Sequence, residues 1–406
     1  MKVINGGVTA AKGFQAAGIY AGIKKANKDM AMIYSEVPCK VAGTFTMNIV
    51  KAAPVIWDQE VVREASFAQA IVINSGVANA CTGTTGYAYC KEMAKTTGDL
   101  LQIPQEAVLV ASTGVIGKQL PMEKINKGIE QLVPLLSATK EGGIMAAEAI
   151  MTTDTMKKEV AVTIVIQGKE VTIGGMCKGS GMIHPNMCTM LGFITTDINI
   201  SKQLLCEALS EDVKDTYNMI SVDGDTSTND TVLLLANGMA ENIEITEKGE
   251  DYNAFVSALN YVNTCLSKKI AGDGEGATAL FEVKVLGAKS KEQAVLLSKS
   301  VVTSSLTKTA IFGHDANWGR ILCAMGYAGT AFDPEKVDLV FESKAGTIQI
   351  AVNGVAVDFN EEEATKILSE SEVTAVIDIK MGDKTATAWG CDLTLDYVKI
   401  NADYRS

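Results

Sequence analysis

"KGSGMIHPNMCTMLGFITTD", Lys178 to Asp197, joins a run of glycine, proline and small polar residues to an apolar run that opens at Thr189. The first half has the composition of a surface loop. Its Gly179, Gly181 and Pro185 hold backbone conformations that few other residues accept. The second half reads as a buried strand. A threonine at the head of such a strand is ordinary, but the junction has a chemical use. Cutting the Cys188–Thr189 peptide bond would leave Thr189 with a free α-amino group beside its own hydroxyl. With an unperturbed pKa of about 7.7–8.0, that amine can serve as general base for the hydroxyl, so one residue supplies nucleophile and base.

The rest of the chain narrows what such a site would serve. At 406 residues, 47% hydrophobic and 21% charged, the chain has the balance of a folded globular protein with room for two or three domains. The 36 basic and 48 acidic residues leave a net charge of −12, with no Lys/Arg-rich block, so no nucleic-acid partner is expected. No apolar run reaches the roughly 18 residues of a membrane span. The start, "MKVINGGVTAAKGF", lacks the apolar core of a signal peptide. The expected location is cytoplasmic, without membrane contact. Nine cysteines without a CxxC pair make no disulfide framework and fit a reducing compartment. The two histidines, His184 and His314, are scant material for a His-dependent triad or a zinc site. The general base is therefore expected to be something other than histidine, and no metal is expected.

The coarse pattern is mixed α/β. "AQAIVINSG" (Ala68 to Gly76) and "AVLVASTGVIG" (Ala107 to Gly117) both read as buried strands that end in small polar residues and glycine. A helix is expected between them, from about Tyr87 to Leu101. "VAVTIVIQGKEVTI" (Val160 to Ile173) reads as a hairpin turning at Gln167-Gly168. Phe255, Leu259, Val262 and Leu266 fall on one face of a helix that stops before Gly272. "TALFEVKVLGA" from Thr278 alternates like a strand, and "SKEQAVLLSKSVV" (Ser290 to Val302) looks helical. Beyond it the pattern reads as strands and loops, with a domain boundary placed near residue 285.

Four other stretches invite a site. "GDGEGAT" (Gly272 to Thr278) has the wrong spacing for a dinucleotide loop and follows a helix rather than a strand. "STGVIGKQ" has Ser112 and Gln119 where a P-loop needs glycine and a hydroxyl. "SVDGDTSTNDT" (Ser221 to Thr231) lacks the spacing and closing glutamate of an EF-hand and reads as a polar turn. "FGHDANWGR" (Phe312 to Arg320) reads either as a loop tying two domains together or as one facing a substrate.

The run "GGMCKGSGMIHPNMCTMLGFITTD" resembles the self-cleaving segment of the ornithine acetyltransferase family, the bifunctional glutamate N-acetyltransferases of arginine biosynthesis. The resemblance covers essentially the whole chain, through "GGVTAAKGFQAAGI", "VAGTFTMNIVKAAPV", "INSGVANACTG", "ASTGVIG", "AIMTTDT", "GDGEGATAL", "FGHDANWGRI" and "VKINADYRS", in that order. It implies a self-cleaving layered α/β sandwich with a smaller C-terminal α/β domain. Residues 1–188 would form an α chain and residues 189–406 a β chain, joined as a two-alpha, two-beta heterotetramer. The implied activity is acetyl transfer from N-acetylornithine to glutamate through an acetyl ester on Thr189. No cofactor is implied. Acetyl-CoA as a further donor separates bifunctional from monofunctional members, and the sequence leaves that open.

Residue by residue, the family's nucleophile matches Thr189, its cleavage point the Cys188–Thr189 bond, and its oxyanion hole Thr113 and Gly114. Its substrate contacts match Thr152, Lys178, Thr189, Glu275, Asn401 and Ser406. A lysine there suits a substrate carboxylate and a glutamate suits an amine. Two positions depart from the family pattern: Cys188 stands where alanine is usual, and Val77 where an asparagine is expected, so that an asparagine side-chain hydrogen bond is missing there. An aminopeptidase or amidase of the same self-cleaving fold and a non-catalytic relative are the rival readings. The first would release acetate without glutamate; the second would remain one uncleaved chain.

Overall fold

The computed structural model describes residues 1–184 and 190–403, so Cys188, Thr189 and Ser406 lie outside the described residues. The described residues divide into two compact units. One comprises Met1–Gly179, 190–218 and Thr226–Leu266; the other comprises Ser180–His184, Met219–Asp225 and 267–403.

In the first unit the strands are β1 (Lys2–Ile4), β2 (Phe14–Ile19), β3 (Met30–Phe45), β4 (Ala68–Val77), β5 (Val108–Val115), β6 (Lys158–Ile166), β7 (Lys169–Lys178), β8 (Leu191–Thr196) and β9 (Thr231–Ala236). They are ordered β1-β6-β7-β8-β9-β3-β4-β5, with β2 also paired to β3. The long β3 belongs to two sets of strands. Residues Met30 to Tyr34 pair with β2 and β4, and Lys40 to Phe45 pair with β9. Pro38, which has no N–H to give a ladder, lies between the two stretches. The hairpin of β6 and β7 turns where the sequence expects it, with Gln167 and Gly168 at φ 52° and 76°. Two positive φ values in a two-residue loop match the right-handed twist of the flanking strands.

The helices of this unit are α1 (Ala53–Glu64), α2 (Gly83–Leu101), α3 (Met122–Leu132), α4 (Lys140–Ala149), α5 (Lys202–Asp215) and α6 (Glu250–Gly272), the last running on into the second unit. Helices α3 and α4 pack on β2 and β3, α5 packs on β3, and α2 packs on β4 and β5. Phe255, Leu259, Val262 and Leu266 form the buried face of α6, as their spacing predicts. Strand β4 is buried along almost its whole length, the state of a strand covered on both faces. This is a layered α/β arrangement.

The second unit carries β10 (Leu280–Ala288), β11 (Asp338–Ser343), β12 (Gly346–Val352), β13 (Val355–Ala356), β14 (Glu372–Asp378) and β15 (Lys384–Cys391), in the order β13-β12-β11-β14-β10-β15. Helix α7 (Lys291–Thr303) packs on β10 and β15. The stretch after Val302, read from sequence as strands and loops, also holds α8 (Ser305–Phe312), α9 (Trp318–Gly326), α10 (Glu361–Leu368) and α11 (Leu395–Ala402). Each of these is only two or three turns long, too short for an apolar period to stand out. Each instead starts on a side-chain cap: Ser304, Asn317, Asn360 and Thr394 accept hydrogen bonds from backbone N–H groups of the first turn. "FGHDANWGR" is thus a helix end, a turn and a helix start, all inside one unit. No disulfide joins the described cysteines, and no described helix is long and apolar enough to cross a membrane.

Strand β5 ends the first sheet, and α1 closes its open edge. The Trp57 Nε1–H donates to the Val108 carbonyl at 2.9 Å, and Asp58 Oδ1 accepts from the Val110 N–H at 2.8 Å. Burial pushes the Asp58 carboxyl well above its usual range, against the opposing effect of the Val110 N–H. A raised carboxyl stabilises the fold below the unfolded value of about 3.9, and that contribution is lost as pH rises toward the folded value. Asp58→Asn keeps an acceptor without an ionisation. Its stability relative to wild type should therefore increase from pH 4 to pH 8. Asp58→Leu strands the Val110 N–H and should cost about 1–3 kcal/mol at pH 4, a cost that shrinks toward pH 8 as the wild type loses the Asp58 contribution. Denaturant midpoints across that pH range check both, and a pH-independent Asp58→Asn difference would contradict the assignment.

Candidate active site

The two strands that end in small polar residues are neighbours. Strands β4 and β5 run parallel with Asn74 beside Ser112, Ser75 beside Thr113 and Gly76 beside Gly114. Here the ladder shifts register at Gly76 and Val77, and side chains add to it. The Ser112 hydroxyl donates to Asn74 Oδ1 at 2.7 Å, and Asn74 Nδ2 donates to the Val77 carbonyl at 2.9 Å. Asn229 Nδ2 donates to the carbonyls of Ser112 and Ala78 at 2.8 and 2.6 Å. Gly114 has φ +126°, and a Cβ there would lie 2.3 Å from the Gly76 carbonyl carbon. Any side chain would force the two strand ends apart. Val77 is buried in the core, and its backbone carbonyl carries the polar contact that its side chain lacks.

A second cluster in the same unit is built around Asp154. Its Oδ1 accepts from Lys158 Nζ at 2.6 Å and from the Gly179 N–H at 2.6 Å. Its Oδ2 accepts from the Thr152 N–H at 3.0 Å. Both side chains of the Asp154–Lys158 pair are fully buried. Burial works against the Asp154 charge, but Lys158 and then Lys178, with the hydrogen bonds from Lys158 and Gly179, hold its carboxyl down at about 2. Thr152 and the buried Lys178, both picked out from the sequence, are therefore brought together by an aspartate that the sequence reading passed over. Lys24 joins them. Its ammonium donates to the Met151 carbonyl at 2.9 Å and feels the charges of Asp154 and Lys178.

In the second unit, Glu275 is buried against the start of the glycine loop. The Glu275 N–H donates to the Ser180 carbonyl at 2.8 Å. A Cβ on Gly181 would lie 2.3 to 2.5 Å from the Glu275 carboxyl atoms, so this glycine exists to let a carboxylate touch bare backbone. Asn401 Nδ2 donates to Glu275 Oε2 at 2.7 Å, which joins two residues chosen from sequence. Asp223 accepts from the N–H groups of Met182 and Ile183 at 2.6 and 2.9 Å, clamping the next part of the loop. The Tyr397 hydroxyl is hydrogen-bonded to Asp223, and its pKa is raised by burial and by the charges of Asp223 and Glu275. "SVDGDTSTNDT" is thus more than a polar turn, since it supplies both Asp223 and Asn229.

His184 has its Nδ1 3.1 Å from the Ser221 hydroxyl. Burial first, then Lys299, pushes its pKa down to about 4 against the pull of Asp225. It is a neutral imidazole at pH 7. Thr113, Gly114, Thr152, Lys178, Glu275 and Asn401 are all placed on or beside these clusters, while Cys188, Thr189 and Ser406 lie outside the described residues. Asp154 had a sequence signal, the "TTDT" motif. Lys24 and Asn229 had none, because each is defined by what it touches.

The sequence model of the ArgJ family matches residues 15–406. The chain is 53% identical over 406 residues to the arginine biosynthesis bifunctional protein ArgJ of Caldanaerobacter subterraneus subsp. tengcongensis, covering all of both chains. It is also 53% identical over 396 residues to the protein of the same name from Thermotoga neapolitana, covering 97% of this chain and 99% of that one. Among solved structures it is similar to the bifunctional argJ protein of Bacillus halodurans, at 46% identity and TM-score 0.45, covering 46% of this chain and 97% of that one. It is similar too to the ornithine acetyltransferase of Mycobacterium tuberculosis complexed with ornithine, at 41% identity and TM-score 0.43, covering 46% and 98%.

The Asp154 carboxylate sets a stability test. Asp154→Asn removes the negative charge beside a fully buried lysine and should cost roughly 3–5 kcal/mol at pH 7. Because its folded pKa is depressed, the Asp154 contribution is present above the unfolded value of about 3.9 and is lost as pH falls through about 2. The gap between wild type and variant should therefore be flat from pH 8 to pH 5 and narrow only below pH 4. Urea denaturation across that range reads it. Narrowing centred near pH 6 would assign the dependence to another group.

Proposed function

The chain belongs to the ArgJ family, and on that premise we propose that it transfers the acetyl group of N-acetyl-L-ornithine to L-glutamate through an ester on Thr189. It is an acetyltransferase of arginine biosynthesis. The observation that carries the reading is identity of 53% over the full length of a bifunctional ArgJ protein. The word bifunctional in that name favours acetyl-CoA as a further donor for making N-acetylglutamate. Acetyl-CoA enters as a substrate; no cofactor is required.

The precursor first cuts itself. The Thr189 hydroxyl attacks the Cys188 carbonyl carbon, the acyl group shifts from nitrogen to oxygen, and water hydrolyses the ester. The products are a Cys188 carboxylate and a free Thr189 amine. In the transfer reaction that amine takes the hydroxyl proton as Thr189 attacks the acetyl carbonyl, and the proton leaves with the departing ornithine nitrogen. The α-amine of glutamate then attacks the acetyl ester and regenerates the Thr189 hydroxyl. Both half-reactions build negative charge on a carbonyl oxygen, which the Thr113 hydroxyl and the Gly114 N–H are assigned to receive. The tight Gly76–Gly114 approach supports that role, since it holds the donor backbone rigid. Glu275, held by Asn401, is assigned to the substrate amine. Lys178 is assigned to a substrate carboxylate, and Thr152 and Ser406 complete the contacts. The α chain, residues 1–188, and the β chain, residues 189–406, are proposed to assemble as a two-alpha, two-beta heterotetramer in the cytoplasm.

Thr189→Ala should stay a single full-length chain and lack acetyl transfer, whereas wild type should run as two chains on a denaturing gel. Wild type given N-acetylornithine alone and quenched in acid should carry one extra acetyl group on Thr189 by mass spectrometry, with parallel double-reciprocal plots for the two substrates. Acetate release that ignores glutamate would establish the hydrolase instead, and an uncleaved, inactive wild type would establish a non-catalytic relative. Thr113→Ala should slow both cleavage and transfer about a hundredfold to a thousandfold, as losing one oxyanion donor does. Unchanged rates for both would move the oxyanion role elsewhere.

A further inference from the structure

We infer that Lys24 is a substrate-binding residue that, with Lys178, receives the α-carboxylate shared by N-acetylornithine and glutamate. The inference rests on the acetyl-transfer reading above. Lys24 lies in the loop between β2 and β3, and that loop is wound around one buried carboxylate. Asp29 accepts from the N–H groups of Ala21, Ile23 and Lys24 at 2.6, 2.6 and 2.9 Å. The Asp29 carbonyl in turn accepts from the Ser75 N–H at 2.9 Å, which ties the loop to the end of β4. Lys24 then spans the site. Its aliphatic stem lies over Gly76, where a Cβ would come 2.8 Å from Lys24 Cγ, and Gly76 packs directly on Gly114. Its ammonium reaches the Met151 carbonyl, next to Thr152. The side chain therefore links the strand end assigned to the oxyanion with the segment assigned to the substrate.

The charges at this place do not cancel. Lys24, Lys158 and Lys178 face Asp154 and Asp29, and Asp29 is already engaged by three N–H groups. Lys158 and Asp154 are in direct contact. What is left over is a single positive charge shared between Lys24 and Lys178, a setting for an anion. Burial, more than Lys178, depresses the Lys24 pKa, and an arriving carboxylate would offset that cost. An ammonium that gives one hydrogen bond to Met151 has two further donors. The choice of carboxylate follows from the substrates. Their side chains end in opposite charges, so a positive pair at the side-chain end would repel ornithine. Only the α-carboxylate is common to both.

Lys24→Met keeps the stem over Gly76 and removes the charge. It should still cleave into two chains, because self-cleavage involves no free carboxylate, and this also reports folding. The KM for N-acetylornithine and for glutamate should each rise about ten- to a hundredfold, with kcat changed much less, as expected for loss of a charge-assisted hydrogen bond. The sharper readout is N-acetylornithine amide, in which the carboxylate is a carboxamide. Wild type should strongly prefer the acid, Lys24→Met should lose most of that preference, and Lys24→Arg should restore part of it. A purely structural role for Lys24 would raise both KM values equally and leave the preference intact, and that result overturns the assignment. A rise confined to glutamate overturns it too, because Lys24 would then read the side-chain carboxylate. Equal losses in cleavage and in kcat likewise overturn it in favour of an oxyanion role. An active wild type with an unaffected Lys24→Met variant sinks this inference alone; a wild type without acetyl transfer sinks the functional reading beneath it.

Discussion

A buried carboxylate is stable as an anion only when enough positive charge and enough hydrogen-bond donors converge on it, and Asp154 is met on every side. Lys158 is in direct contact, Lys178 acts through its charge, and the backbone N–H groups of Thr152 and Gly179 donate to its two oxygens. Those partners come from three places in the chain: the turn after α4, strand β6 and the end of β7. Gly179 is also where β7 gives way to the glycine loop. The requirement to neutralise one charge thus fixes the point from which that loop departs and brings Thr152 and Lys178 to the same spot.

The same economy of means recurs wherever regular pairing runs out. At the ends of β4 and β5 the backbone groups are taken up by Asn74 and Asn229, and the hydroxyl of Ser75 donates to the Ala149 carbonyl. In the second unit, Asp223 takes the N–H groups of Met182 and Ile183, while Glu275 lies against the bare backbone of Gly181. A loop held by side-chain carboxylates and amides keeps its shape without being part of a helix or sheet. That is a useful property in a loop that leads to a bond proposed to be cut. Glycine is needed where a neighbour stands at the place a side chain would begin, as at Gly76, Gly114 and Gly181.

Charge explains the selectivity proposed for the site. Two substrates with opposite side-chain charges can share a pocket only if their common carboxylate is held by fixed cations and the far end tolerates both signs. A positive surplus around Lys24 and Lys178, close to an already satisfied Asp154, meets the first condition. His184, neutral at pH 7 and bonded to Ser221, adds no titrating group in that range.

Much of the architecture was legible before any coordinates. The strands at Ala68 and Val108, the Gln167-Gly168 hairpin, the buried face of α6 and the helix from Lys291 follow from local periodicity and turn chemistry, which are properties of neighbouring residues. The short helices after Val302 escaped because two or three turns carry too few apolar positions to show a period; their capping residues were the only signal. The proposed nucleophile, Thr189, lies outside the described residues and rests on sequence of a different kind. A loop of glycine and proline abutting an apolar strand is a pattern in one dimension, and it coincides with motifs that extend over the whole chain. What the tertiary structure alone decided is convergence. That Asn74 meets Ser112, that Lys24 lies over Gly76 beside Gly114, and that Asp154 gathers Thr152, Lys158 and Lys178 depends on parallel pairing and loop closure across tens of residues. The cost of burying each polar group is settled by partners that no local stretch of sequence contains.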